Sequence, residues 1–327
     1  MPGKVCSLFL AVLALTVAGS VHARQPRVAV GGDETSTGFG RAVALANEEM
    51  FIGEPFNVLT PGAVYVFAWD APSGSWIERG RLTASDAVAG DRFGQAVAVD
   101  GDRLLVGAPF QVGSTGAAYI FERDATTGAW VEQAKLTARD GVAPDLLGEA
   151  VALHGNTALV GASFRNTRAG AAYVFERDEV TGAWTEQTRL VGHDTQPGDR
   201  FGFAVALWED HALIGAYAHN NQEGAVYAFW RDATERWAEQ AKLVSPQVQP
   251  GDRFGYALAF REDEAVVGAP RHGGFLGAVF VTRYDSTSGR WIEQARLTPG
   301  TGRSGDRFGR SVSGDGETLW VGAPFAD

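Results

Sequence analysis

A Phe-Gly pair recurs along this chain at nearly constant intervals, and no other feature of the sequence restricts its fold so strongly. The pair begins at Phe39, Phe93, Phe201, Phe254 and Phe308, with Leu147-Gly148 in the third place. Successive steps are 54, 54, 54, 53 and 54 residues. Two more markers keep the same register: a Trp at 76, 130, 184, 237 and 291, and a Gly-Ala-x-Tyr/Phe run starting at Gly62, Gly116, Gly170, Gly224 and Gly277. Three markers in one register define a repeat array, in which each unit completes its core against its neighbours.

Within a unit, four short apolar stretches alternate with turn residues. In the second, residues 93–99 alternate in polarity and end at Asp100-Gly101, a pair suited to a two-residue hairpin. A second strand follows over 104–107 and ends in Gly107-Ala108-Pro109. Residues 117–123, rich in aromatic and β-branched side chains, form a third. A turn from Asp124 to Gly128 leads to the fourth, over 130–137. No helical periodicity of useful length exists beyond Ala23. Four antiparallel strands at a fixed period predict an all-β chain, a β-propeller of four-stranded antiparallel blades. Small Gly-Ala pairs suit the crowded inner strands, and Trp and Tyr suit the wide outer part of each blade. Truncating one such buried Trp to Ala is expected to cost about 3–5 kcal/mol.

Phe-Gly followed by Val-Gly-Ala-Pro resembles the FG-GAP repeat known from integrin α-subunit propellers and many bacterial exported proteins. The two motifs stand together at Phe93 with Pro109, Phe254 with Pro270 and Phe308 with Pro324. They are altered at Gly53-Glu54-Pro55, Gly161-Ala162-Ser163 and Gly215-Ala216-Tyr217. The resemblance covers residues 27–327, with repeats starting near 39, 93, 147, 201, 254 and 308. It implies the propeller fold and does not by itself name a function. The family's usual ring has seven blades, whereas this chain has residues for five full units and the start of a sixth.

Residues 27–30 align with the end of a fourth strand, so an N-terminal strand is expected to close about six blades, the last incomplete. Either such a ring closes with a defective blade, or the chain is part of a longer polypeptide. An unpaired edge at that place would invite aggregation. Residues 1–23 read as a signal peptide, with Lys4 before a mostly apolar stretch over 5–17 and a cleavage site at Val21-His22-Ala23. The propeller domain then occupies 24–327, and the product is secreted, with periplasm or cell surface as alternatives. Cleavage removes the only cysteine, Cys6, so the fold must be held by its core alone.

Cleavage also leaves 27 basic against 39 acidic residues, a formal charge of −12. That balance argues against nucleic acid and anionic membrane as partners, and no segment is long enough for membrane insertion. The FG-GAP resemblance implies a calcium loop of the Asp-x-Asp-x-Asp-Gly kind between strands one and two. Here those connections are only Asp100-Gly101-Asp102, His154-Gly155-Asn156, Glu209-Asp210, Glu262-Asp263-Glu264 and Gly314-Asp315-Gly316. They are too short to supply six to eight oxygens, so no metal and no cofactor is expected.

Other motifs read as scaffolding. The Gly-Asp-Arg-Phe-Gly string at 90, 198, 251 and 305 recurs too often for a site, so its Asp is expected to cap a turn or pair with Arg between blades. The third-to-fourth turns, such as that from Asp124 to Trp130, resemble the Asp boxes of sialidases with the spacing changed. No nucleophile elbow, His-Glu-x-x-His pair or phosphate loop occurs, so no catalytic residue is assigned. Strand parity puts the two-to-three and four-to-one connections on one face, and the former differ between units. On that face Gln111, Arg165, Asn166, Arg168, His219, Asn220, Arg271 and His272 are candidate ligand contacts. The expected function is adhesion-type binding of a protein or glycan. A non-binding structural domain is the alternative, and a glycan-active enzyme the third reading.

Overall fold

The computed structural model describes residues 12–14, 38–56, 60–314 and 316–326. Five four-stranded antiparallel sheets follow one another, each ordered one-two-three-four as a meander. The first blade comprises Val43–Ala46, Glu49–Glu54, Ala63–Asp70 and Ser75–Leu82. The second comprises Ala96–Asp100, Arg103–Ala108, Ala117–Arg123 and Trp130–Leu136, and the third Ala150–His154, Thr157–Ala162, Ala171–Arg177 and Trp184–Leu190. The fourth holds Ala204–Trp208, His211–Ala216, Ala225–Arg231 and Trp237–Leu243, and the fifth Ala257–Arg261, Glu264–Ala269, Ala278–Asp285 and Arg290–Leu297.

A sixth sheet has three strands, Ser311–Gly314, Leu319–Gly322 and Val12–Ala14, the last paired antiparallel to Leu319–Gly322. The closing strand expected at 27–30 lies outside the described residues. The strand that does join the sheet comes from the stretch read as the signal-peptide core, and it takes the third place, not the outer one.

The core lies between blades. One apolar cluster joins Leu159, Val174 and Leu190 of the third blade to Leu207, Ile214 and Phe229 of the fourth, and equivalent clusters fill the neighbouring joints. Strands two and three are buried nearly throughout, and strand four alternates. The Tyr of strand three is fully buried at 119, 173 and 227. The strand-four Trp residues are only half-buried, so truncating one removes less packing than the sequence led us to expect.

Glycine sets how closely blades approach. A Cβ on Gly53, Gly107, Gly161, Gly215 or Gly268 of strand two would lie 2.0–2.2 Å from the carbonyl oxygen of Gly94, Gly148, Gly202, Gly255 or Gly309 of the next blade. Crowding therefore falls between blades, where strand two meets the segment that leads into the innermost strand of the next blade. Main-chain bonds hold the joints, such as Phe201 N–H to the Ala169 carbonyl (2.9 Å) and Phe254 N–H to that of Glu223 (2.9 Å). Ion pairs recur outside them: Arg123 with Glu49 (3.5 Å), Arg177 with Glu122 (3.1 Å) and Arg231 with Glu176 (3.3 Å). The strand one-to-two hairpin of blade two turns at Gly101-Asp102, one residue later than read, because Gly101 takes the positive φ of 55° while Asp100 stays paired with Arg103.

A polar cluster under each of three four-to-one loops gives the fold an acid sensitivity. Tyr119, Tyr173 and Tyr227 donate to Asp86, Asp140 and Asp194 at 2.7–2.8 Å, and Lys135, Arg189 and Lys242 pair with the same carboxylates. Burial alone would raise the Asp194 carboxyl, but the Lys242 and Tyr227 hydrogen bonds and the Lys242 charge outweigh it and hold the pKa at about 2. Asp86 and Asp140 are lowered against the same opposing burial. Carboxyls depressed in the folded state stabilise it above about pH 4, and that contribution disappears as pH falls from about 4 towards 2. Each is partly exposed, so solvent screening limits the effect to about 1 kcal/mol per site. Denaturant midpoints should therefore fall between pH 5 and pH 2.5, and Asp194→Asn should flatten part of that fall. An equal fall in the variant would exclude Asp194 as a source.

Candidate binding face

The Asp of each Gly-Asp-Arg-Phe-Gly string caps its turn. Asp91, Asp199, Asp252 and Asp306 accept from the backbone N–H three residues earlier, at 2.7–2.9 Å, and Asp145 does the same at 3.0 Å. The carbonyls of Asp91, Asp145, Asp199 and Asp252 receive N–H groups from Phe110, Phe164, Ala218 and Arg271. Those four residues open the two-to-three loops, so the two kinds of connection do share one face. The third-to-fourth turns are capped too: Asp124 Oδ1 accepts from the Thr126 and Thr127 amides and the Thr127 hydroxyl.

The two-to-three loops Gln111–Ser114, Arg165–Arg168, His219–Gln222 and His272–Phe275 share one backbone shape. Three successive residues of positive φ form each tip, at Val112-Gly113-Ser114, Asn166-Thr167-Arg168, Asn220-Asn221-Gln222 and Gly273-Gly274-Phe275. This shape turns the first residue of each loop back into the protein. Gln111 donates to Asp86 (3.2 Å), and Arg165 to Asp145 (2.5 Å) and Asp140 (2.8 Å). His219 and His272 place Nδ1 2.7 Å from Asp199 and Asp252. Asn220 donates to Glu223 and Arg271 to Gln222, so six of the eight candidate contacts have internal side-chain partners. Asn166, Arg168 and Asn220 stand exposed at the tips.

His219 belongs to a chain of polar groups, since Lys242 Nζ lies 2.7 Å from both its Nε2 and Asp194. Nδ1 then donates to Asp199 and Nε2 accepts from Lys242. Arg165 and Gln111 fill the same place in blades three and two, and neither relays a proton at neutral pH. The shared task of the position is to tie the loop to its blade, which is structural.

Nearer the axis lie residues that the sequence reading passed over. The position after each Phe-Gly holds Arg41, Gln95, Glu149, Phe203, Tyr256 and Arg310 in blades one to six. Arg310 donates to the Tyr256 hydroxyl (2.7 Å), and Phe203, Tyr217 and Tyr256 pack with ring centroids 4.5–5.3 Å apart. Ser163 donates to Glu149, whose pKa burial raises against the fields of Arg200, Arg41 and Arg92. Burial foremost, then Arg310 and Arg92, lowers the pKa of Arg41 against the opposing Tyr256, although water reaches its side chain. Groups of six blades thus meet around one axis.

Above them runs a belt of arginines on aromatic rings. Arg92 sits 3.9 Å over Phe110, Arg200 3.8 Å over Phe164, Arg307 4.6 Å over Phe325 and Arg253 5.1 Å over Tyr217. All four take positive φ, between 56° and 64°, the same turn position filled by Leu146 in blade three. Arg271 joins them, since Gln222 Oε1 accepts from both Arg253 (3.0 Å) and Arg271 (3.4 Å). Beside Arg253 opens a cleft of about 580 Å³ lined by Tyr217, Asn220, Asn221 and Gln222, with Gln196 and Asp199 opposite. The signal available in the sequence was a position of fixed register whose chemistry changes from unit to unit.

Among the described residues no cluster of His, Cys, Asp and Glu is arranged to hold a metal ion, and no helix is long and apolar enough to cross a membrane. No curated protein matches the chain. The sequence profile of the FG-GAP repeat matches residues 76–121, 130–175, 184–229, 237–282 and 291–327. Each full match runs from the strand-four Trp of one blade into strand three of the next, so the profile and the meander describe one period in two phases. Proteins of this kind are generally non-catalytic and typically extracellular or surface-exposed. With the profile covering most of its length on a propeller of repeated four-stranded blades, this chain belongs to the FG-GAP repeat family.

Proposed function

We propose that the chain is a secreted or surface-displayed recognition domain that binds a protein or glycan on the face carrying its two-to-three and four-to-one loops, without catalysis and without calcium. One observation carries this reading: four loops of identical backbone shape present different side chains at their tips. A fixed frame with variable polar tips is an arrangement suited to recognition. The recurrence of the His219 position as a loop tie supports a binding role over an enzymatic one.

The test is binding of the purified protein to a panel of glycans and matrix proteins, with and without EDTA. At least one member should bind saturably, insensitive to EDTA. The combined variant Asn166→Ala, Arg168→Ala and Asn220→Ala, confined to exposed tips, should weaken that binding about tenfold or more. Failure of the folded protein to bind any member would favour a structural domain with no ligand of its own.

A further inference from the structure

Several arginines on the blade flanks are in ion pairs, as Arg103 with Glu122 (3.0 Å), Arg177 with Glu122 and Arg231 with Glu176 show, while Arg79, Arg290 and Arg296 of the outer strands are in none among the described residues. None of the seven around the axial mouth, at 41, 92, 200, 253, 271, 307 and 310, is in an ion pair among the described residues. This occurs in a chain with 39 acidic and 28 basic residues, where carboxylates are plentiful. The mouth arginines also crowd one another: burial, then Arg271, and further Arg307, lower the pKa of Arg253, with Tyr217 and Tyr256 opposing. Glu149, whose pKa burial raises, is one carboxyl set against Arg41, Arg92 and Arg200, and positive charge in such excess is a place where an anionic ligand gains from the field.

The surroundings narrow that ligand. An acidic protein surface around a concave positive mouth repels broad anionic partners and admits a narrow one. The cleft beside Arg253 is lined by side-chain amides, a tyrosine and the turn Asp, with Pro197 and Ala218 its only aliphatic residues. It offers no apolar pocket of the kind that anchors a peptide, but side-chain amides both donate to and accept from hydroxyl groups. Guanidinium groups match carboxylates with paired hydrogen bonds. Resting on the recognition reading above, we infer that the axial mouth binds a carboxylate-bearing oligosaccharide, a short uronate chain or the end of a longer one, with carboxylates on the mouth arginines and hydroxyls on the amides of the cleft.

The experiment is calorimetric titration of the full chain with an oligogalacturonate tetramer, its methyl ester and a poly-glutamate peptide of equal charge. The tetramer should bind saturably, and the ester and the peptide at least tenfold more weakly. Arg253→Gln and Arg307→Gln, made separately, should each weaken tetramer binding about tenfold, whereas Arg103→Gln on a blade flank should leave it unchanged. Thermal melts of all three variants establish that they are folded. Equal binding of the peptide would overturn the assignment to a glycan, and equal binding by the mouth variants would overturn the site. If the tetramer fails while a panel member binds and responds to the tip variant, the uronate assignment falls and the recognition reading stands. If nothing binds, both fall.

Discussion

Gly161→Ala is expected to destabilise the propeller by about 3–4 kcal/mol, at or above the upper end of what overpacking usually costs. The added methyl would stand 2.0 Å from the carbonyl oxygen of Gly202, far inside any real contact. Its neighbour is backbone and cannot rotate away. Relief requires blades three and four to part, which strains the Phe201 N–H to Ala169 carbonyl bond (2.9 Å) and opens the apolar cluster between them. Gly80→Ala is the control, because a Cβ there meets nothing within 4 Å and the backbone is not left-handed. That variant should be neutral or gain up to about 1 kcal/mol from a less flexible unfolded chain. Thermal melts of the two variants decide the matter: a Gly161→Ala melting temperature within a degree or two of the Gly80→Ala value would mean that the joint is looser than described.

The second large effect concerns the Phe of the repeat. Phe201 is fully buried, with its ring 5.3 Å from Tyr227 and 6.1 Å from Phe229, both edge-on. Phe201→Ala should cost about 3–5 kcal/mol through lost transfer energy and the cavity left behind. Phe201→Leu should cost no more than about 1.5 kcal/mol. The chain contains its own precedent, since Leu147 occupies the same slot in blade three, 1 % exposed, and bridges Gly116 as Phe201 bridges Gly170. Denaturant titrations with matched slopes would compare the three proteins. A leucine variant as weak as the alanine variant would show that the aromatic edge contacts, and not filled volume, hold this position.

The blade could be read from the sequence because its signals are local. Alternation, Asp-Gly turns and the Gly-Ala run each act within a few residues, and strand three of blade two falls at Ala117–Arg123 as expected. The direction of the loop side chains could not be read in this way. It depends on three successive residues of positive φ at each tip, and Val112 (φ 48°) and Thr167 (φ 55°) are β-branched residues that sequence rules keep out of that region. Arg165, His219 and His272 therefore looked like free polar groups and proved to be ties to buried aspartates. The axial belt escaped notice for another reason. Arg92, Arg200, Arg253 and Arg307 sit inside the most regular string of the chain, and regularity by itself points to scaffolding. In the fold the Asp of that string is scaffold and the Arg beside it faces a different environment.

The joints between blades are main chain against glycine, reinforced at three of them by the same Arg-Glu pair. A blade therefore carries no private key for its neighbour. Units of this kind can be duplicated, lost or exchanged by recombination without refitting the seam. The positions just after Phe-Gly stand outside the glycine contacts of the seam and meet one another only through side chains, and their chemistry varies: arginine, glutamine, glutamate, phenylalanine, tyrosine and arginine follow one another around the axis. Gain or loss of one unit would thus change the set of side chains around the axis in a single genetic event while leaving the seams as they were.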